Sequence, residues 1–174
     1  MSIFARLLVV AIMALAMGTS PAGAEEEPFT GRWDGATVKI YIDPNVYDNR
    51  WRINDAIGDW RDFDIVDITL VKEPCEGCIT VSKVRPYKAE GIDVKWHGIA
   101  WAWAQGDLLV DCHIELSNRT PTHLRQGVLG HEIGHCLGLP HTQHPNSIMN
   151  LYNRPPTSFD WWRLHTLYNQ EGTP

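Results

Sequence analysis

The amino-acid sequence predicts an α+β fold, and three observations lead to that prediction. The patterns along the chain run in the order strand, helix, three or four strands, helix, coil and helix. Apolar residues alternate in the strand segments and recur every three or four positions in the helical segments. The chain has 174 residues, of which 44% are hydrophobic and 21% charged, enough for one domain with a substantial core. We expect one sheet of four or five strands with an N-terminal, a central and a C-terminal helix.

Residues 1–24 are predicted to be a signal peptide that is removed from the mature protein. Arg6 precedes an eleven-residue apolar stretch over 7–17. This stretch is shorter than the about 20 residues that a membrane-spanning helix needs. The sequence Ala22-Gly23-Ala24 then provides the small residues of a signal-peptidase cleavage site. Residues 25–174 are therefore expected to form a single secreted domain that does not associate with membranes.

Four elements are predicted in the first half of this domain. Every second residue of 37–42 is Val or Ile, which indicates a strand. Residues 47–60 carry apolar side chains at helical spacing, which indicates an amphipathic helix. Residues 65–71 and 79–84 contain alternating apolar positions and are predicted to be strands.

A predicted loop over 85–97 leads into two further strands. The first is a short aromatic strand over 99–103. The second, over 108–116, alternates cleanly, so that Cys112 lies on its apolar face and His113 on the opposite face.

The last third of the chain is predicted to contain two helices. Thr120 is expected to cap the first of them, and Gly138 to end it just beyond residue 137. After a proline-containing coil, Thr157 and Asp160 are expected to open the final helix.

The four cysteines indicate a secreted, disulfide-bonded protein. An even number of cysteines in an exported chain favours two disulfides, with three possible pairings. Cys112 lies on the apolar face of its strand, and Cys136 groups with the apolar residues of its helix. We therefore predict Cys112–Cys136 and Cys75–Cys78 disulfides. The alternatives are a reduced, buried Cys112 and Cys136, and a zinc site with four cysteine ligands.

Residues 131–141, HEIGHCLGLPH, have the pattern of a metal site. On a helix, His131 and His135 are one turn apart and project from the same face. Gly138 permits a sharp turn that brings His141 round as a third ligand. Glu132 lies about 100° round the helix from His131, where it can reach a water on the metal without ligating the ion. Three imidazoles with an open fourth position are typical of a catalytic zinc site, so we expect one zinc ion per chain.

Met149 follows His141 by eight residues, and the complete pattern resembles the signature of the metzincins. Within the metzincins, the chain is similar to the matrixins, the family of the matrix metalloproteinases and their bacterial relatives. The similarity includes the small and apolar residues 127–130 that precede the first histidine. Weaker similarity covers most of the domain, including residues 56–60, 99–104 and 164–169.

The resemblance implies a metzincin fold with a twisted mixed sheet, and the activity of a secreted zinc endopeptidase. It assigns His131, His135 and His141 to the zinc ion and Glu132 to the role of general base. Met149 is implied to form an apolar floor beneath the zinc without ligating it.

Residues 99–104 resemble the edge strand with which the family pairs an extended substrate. Ala100, Trp101 and Trp103 are therefore candidate substrate-binding residues, with core packing as the alternative for the two tryptophans. Trp101 stands where animal matrixins carry a histidine ligand of a second, structural zinc. His113 is consequently expected to lack a partner for such a site.

The chain departs from the family in two other places. Asn150, Leu151 and Tyr152 follow the methionine, so the usual tyrosine is out of register and the shape of the S1′ pocket is not specified. No cysteine-containing propeptide is recognisable between Ala24 and the first strand, so activation is expected to need only signal removal. The remaining histidines are expected to be solvated or packing residues, namely His97, His113, His123, His144 and His165.

The net charge of the chain limits the kinds of partner that it is expected to bind. A net charge of −6 without a basic tract argues against nucleic acid or an anionic membrane. We expect a monomer that acts on a protein or peptide substrate; a calcium ion is compatible with the sequence but not indicated by it.

Two alternatives stay open: a catalytically silent extracellular binding module that keeps zinc for stability, and a zinc hydrolase of a non-protein amide such as cell-wall peptide. Glu132 favours an enzyme, because a purely structural zinc needs no base.

Overall fold

The computed structural model describes residues 8–13, 31–35, 37–47, 50–86 and 96–169. The strands are β1 (Leu8–Met13), β2 (Arg32–Trp33), β3 (Thr37–Ile42), β4 (Asp67–Val71), β5 (Ile79–Val84), β6 (Gly98–Gln105) and β7 (Leu108–Ser117). The helices are α1 (Ile53–Arg61), α2 (Arg125–Cys136) and α3 (Ser158–Tyr168). None of the helices within these described ranges is long and apolar enough to cross a membrane.

The strands form one mixed sheet. Its order is β1-β6-β7-β5-β3-β4, and β2 pairs with β7 outside this path. β3 is parallel to β4 and β5, β5 is parallel to β7, and β6 is antiparallel to β7. The strands from β3 to β7 confirm the predicted mixed sheet, to which the two-residue β2 and β1 are additional.

β1 lies within the segment predicted to be the signal peptide. It pairs antiparallel with β6, from Leu8 opposite Ala104 to Met13 opposite Ile99. The predicted cleavage site at residues 22–24 lies outside the described residues, so removal of this segment stays a prediction. Cleavage there would leave β6 as an edge of the sheet.

The helix predicted over 47–60 begins later than its periodicity indicates. A 3₁₀ helix over Pro44–Val46 lies before the predicted range, and Arg52 adopts a left-handed conformation with φ 49° directly before α1. A non-glycine residue in this conformation interrupts a right-handed helix. The buried Trp51 is therefore a core residue outside the helix, with the guanidinium carbon of Arg125 5.2 Å from its ring centroid.

The structure also corrects the role predicted for Thr120. Its hydroxyl donates to the carbonyl of His97 at 3.0 Å and does not cap a helix. A 3₁₀ turn over Thr122–Leu124 precedes α2, which begins at Arg125. In contrast, Thr157 and Asp160 form the predicted capping box at the start of α3.

Helix α2 lies between the sheet and α1, and this packing places the residues of the HEIGHCLGLPH segment. It packs against β6 and β7 on one side and against α1 on the other. Ala102 and Ile114, on the sheet face that enters the core, are buried there. Trp60 of α1 donates from Nε1 to the carbonyl of Gly130 at 2.8 Å, which fixes the opposite side of α2.

The structure contains the two disulfides that the sequence predicts. Cys112–Cys136 joins β7 to the last turn of α2, and both residues are fully buried. Cys75–Cys78 closes the turn between β4 and β5. Among the described residues there is no free cysteine.

Combining Cys112→Ala with Cys136→Ala should lower the free energy of unfolding by about 3 kcal/mol, because the disulfide closes a loop with a sequence separation of 24. Denaturant unfolding of the purified protein measures this loss. Cys75→Ser combined with Cys78→Ser is the matched control, and its shorter separation of 3 predicts a smaller loss. Equal losses from the two pairs would contradict the loop-length explanation.

Candidate metal centre

Three histidines converge where α2 ends. His131 and His135 lie one turn apart on α2, with 3.0 Å between their Nε2 atoms. Gly138 has a φ of +98°, and the chain turns back there to bring in His141. The Nε2 atom of His141 lies 3.3 Å from that of His131 and 3.2 Å from that of His135. The predicted ligand set is therefore assembled in space.

This histidine cluster fits a tetrahedral zinc ion. Ligand nitrogens at zinc–nitrogen distances of ~2.0–2.1 Å lie about 3.3 Å apart in a tetrahedron. His131 donates from Nδ1 to the carbonyl of Ile148 at 2.7 Å, and His135 donates from Nδ1 to the carbonyl of Leu139 at 2.8 Å. These hydrogen bonds orient both rings and leave the Nε2 lone pairs free to bind a metal.

Burial keeps the two helical histidines neutral. Removal from solvent, and then the charge of His141, lower the pKa of His131 to about 3, even though the hydrogen bond to Ile148 acts in the opposite direction. Burial, and then the charges of His131 and His141, lower the pKa of His135 well below its usual range. Neutral imidazole is the form that binds zinc, so the environment of these rings favours metal binding at neutral pH.

Glu132 supplies a buried carboxyl group on the same helix. It is fully buried, and neither carboxylate oxygen has a hydrogen-bond partner among the residues that the structure describes. Burial raises the pKa of Glu132 well above its usual range. A carboxylate with a raised pKa and free lone pairs is a stronger base than an ordinary surface carboxylate.

Met149 packs against α2 at Gly134, the residue before His135. It is fully buried, and its sulfur lies so close to Gly134 that a Cβ atom there would be 2.5 Å from Sδ. The same Cβ would lie 2.9 Å from Cζ2 of Trp60. Gly134 therefore allows the methionine and the tryptophan to pack directly against α2 between Glu132 and His135.

Asp160 connects the methionine turn to α3, a role that the sequence did not reveal. It is fully buried and accepts hydrogen bonds from the hydroxyl of Ser147 and, at 3.2 Å, from the amide of Ile148. The carbonyl of Ile148 accepts a hydrogen bond from His131. The Asp160 carboxylate therefore helps to hold the zinc ligand His131 through Ile148. The capping box was the only sequence signal at this position, and it indicated only a helix start.

Tyr152 lies beside the cluster despite its altered spacing from Met149. Its ring centroid is 6.0 Å from that of His131 and 5.9 Å from that of His97. Burial, and then the charge of Glu132, raise the pKa of its hydroxyl. Sequence spacing could not have located this tyrosine, because its position depends on the path of the loop after Met149.

The substrate-binding candidates lie on β6. Ala100 is fully buried, whereas Trp101 and Trp103 are half-buried. Trp101 lies opposite His113 in the register of β6 and β7, and it packs against a second apolar cluster that contains Trp96. Packing against this cluster accounts for the buried part of the Trp101 side chain.

His144 is separate from the three metal-binding histidines. Its ring stacks on Phe159 of α3 at a centroid distance of 3.7 Å. His165 stacks in the same way on Trp161, at 4.8 Å. His144 is half-buried and His165 is exposed, which agrees with the expectation that these histidines are packing or solvated residues.

Comparison with known proteins gave a family and a structural match. Residues 47–164 match the family model described as Matrixin. Among solved structures, one match is high choriolytic enzyme 1, a hatching enzyme zinc-protease from the medaka fish Oryzias latipes. That match has 14% sequence identity and a TM-score of 0.48, and it covers 89% of this chain and 99% of the other. A search of curated proteins found no match.

Proposed function

The chain belongs to the matrixin family and is a zinc metalloendopeptidase, and we propose that it is exported and cleaves peptide bonds with Glu132 as its general base. One observation carries the mechanistic proposal. A buried carboxylate without a hydrogen-bond partner among the described residues follows His131 directly, on the helix that holds two of the three converging imidazoles.

The three histidines would hold the zinc ion. The zinc ion would supply part of the catalysis, and the protein's own groups supply the rest. Zinc in a three-histidine site makes water more acidic and polarises a carbonyl group. Glu132 accepts the proton of the attacking water and donates it to the leaving amine. The Nδ1 hydrogen bonds of His131 and His135 keep both rings oriented throughout the reaction. Met149 forms the apolar floor of the zinc site.

We propose that the substrate binds as an extended strand along β6. Ala100 and its neighbours Trp101 and Trp103 would contact it, with backbone hydrogen bonds providing most of the pairing. The antiparallel pairing of Leu8–Met13 with β6 supports this proposal, because an extended segment already lies at that edge. Removal of the signal peptide would make the same edge available to substrate.

Export is supported by the sequence of the first 24 residues and by the cysteines. Disulfides form and persist in oxidising compartments, and the cysteines of the described chain are paired. Detecting the processed protein in culture medium, with Glu25 at its N-terminus, would establish export. Retention of residues 1–24 in the cell-associated protein would contradict it.

Purified enzyme should hydrolyse casein, stop when zinc is chelated, and recover when zinc is added back. Without zinc, the three imidazoles cannot make water more acidic or polarise a carbonyl group. Mass spectrometry of the products should show cleavage at internal peptide bonds. Activity that persists in excess chelator would contradict a zinc mechanism, and cleavage confined to cell-wall amides would replace the proposed substrate class.

A further inference from the structure

Gly98, the first residue of β6, lies directly against the side chain of Glu132. A Cβ atom on Gly98 would be 2.6 Å from Glu132 Oε1, 2.7 Å from Cγ and 2.9 Å from Cδ. Non-bonded carbon atoms normally stay about 3.5–4.0 Å apart. Gly98 is not among the residues with positive φ, so its backbone conformation does not require glycine. The three atoms nearest to such a Cβ all belong to Glu132.

The strand cannot easily move away from Glu132. The carbonyl of His97 accepts hydrogen bonds from the amide of Ser117 at 2.9 Å and from the hydroxyl of Thr120 at 3.0 Å. Gly98 itself lies opposite Leu116 in the register of β6 and β7. A shift of the backbone at Gly98 would break these interactions.

The helix is fixed as firmly as the strand. The Cys112–Cys136 disulfide ties α2 to β7, and Trp60 donates to the carbonyl of Gly130. His131, the neighbour of Glu132, is held by the carbonyl of Ile148. If both backbones stay in place, a side chain at position 98 must displace the Glu132 side chain.

We infer that Gly98 is a positioning residue for Glu132: the absence of a side chain at this position lets the carboxylate occupy its place beside the substrate-binding strand. This inference rests on the proposed role of Glu132 as general base. Because the carboxylate oxygens have no hydrogen-bond partner among the described residues, packing against Gly98 is what fixes their position on this side.

Gly98→Ala should lower kcat at least tenfold while KM for a peptide substrate changes by less than twofold and zinc content stays at one ion per chain. A displaced base affects the chemical step, whereas a general structural defect would also affect KM and zinc binding. Gly58→Ala is the matched control, since a Cβ there meets nothing within 4 Å, and it should leave kcat unchanged. In a Glu132→Gln background, Gly98→Ala should cause no further loss of kcat.

A thermal double-mutant cycle tests the same contact without activity. Gly98→Ala should lower Tm in the wild-type background, but not in a Glu132→Ala background, where Cγ, Cδ and Oε1 are absent. Even if Gly98→Ala alone fails to fold, a folded, zinc-binding Gly98→Ala/Glu132→Ala protein would support the inference.

Wild-type kcat for Gly98→Ala, with Glu132→Gln inactive, would overturn the inference and leave the proposed function intact. A destabilisation that persists with alanine at position 132 would also overturn it, because some other group would then be the obstacle. If Glu132→Gln itself keeps full turnover, the proposed function fails, and with it the inferred role of Gly98 in catalysis. The thermal cycle would still show whether the two residues are in contact.

Discussion

Glu132→Gln should lower turnover by about 10²–10⁴-fold and leave zinc content unchanged. Glutamine has nearly the shape of glutamate but cannot accept the proton of an attacking water. Glutamine also occupies nearly the same volume as glutamate, so the substitution should leave the packing around position 132 and the Tm unchanged. Measuring kcat, zinc content and Tm on one preparation separates these effects.

A second glutamate provides the control for this substitution. Glu73 is exposed, in the turn between β4 and β5, and Glu73→Gln should have wild-type turnover. Turnover of Glu132→Gln close to that of the wild type would remove Glu132 from the mechanism.

His135→Ala should abolish both tight zinc binding and activity. Nε2 of His135 lies within 3.2 Å of both other ligand atoms, and the two imidazoles that remain cannot complete a three-histidine site. Since a bound ion stabilises only the folded state, chelation should lower the Tm of the wild type. The Tm of His135→Ala should not respond to the chelator.

His123 is the matched control for His135. It is exposed in the short helix before α2, and His123→Ala should keep its zinc, its activity and its chelator-sensitive Tm. Zinc retained at one ion per chain in His135→Ala would show that the metal binds elsewhere.

The parts of the fold that depend on local patterns were predictable from the sequence. β3 and β5 have the predicted bounds, because alternation of apolar residues is a property of each segment alone. The capping box of Thr157 and Asp160 is likewise local. The three zinc ligands were predictable for a related reason: a helical turn and one glycine bring them together within eleven residues.

Errors arose where distant parts of the chain compete for the same groups. The hydroxyl of Thr120 bonds to His97, 23 residues away, instead of capping a helix. Trp51 has helical spacing but lies outside α1, where it packs against Arg125 from the other half of the chain. Tertiary contacts of this kind override local propensity.

The surroundings of the metal centre were the least predictable part. Asp160 supports His131 only because α3 returns to the methionine turn, and Gly98 meets Glu132 only because β6 packs against α2. Neither pair is close in sequence, and neither glycine nor aspartate at such positions has a distinctive local pattern. These residues surround the site without belonging to its motif.

A zinc anomalous-difference map from crystals of the purified enzyme, measured on both sides of the zinc absorption edge, tests the three-histidine zinc site most directly. We expect one peak per chain, about 2.0–2.1 Å from Nε2 of His131, His135 and His141. A map with no peak at these histidines, or with its main peak elsewhere in the chain, would contradict this expectation.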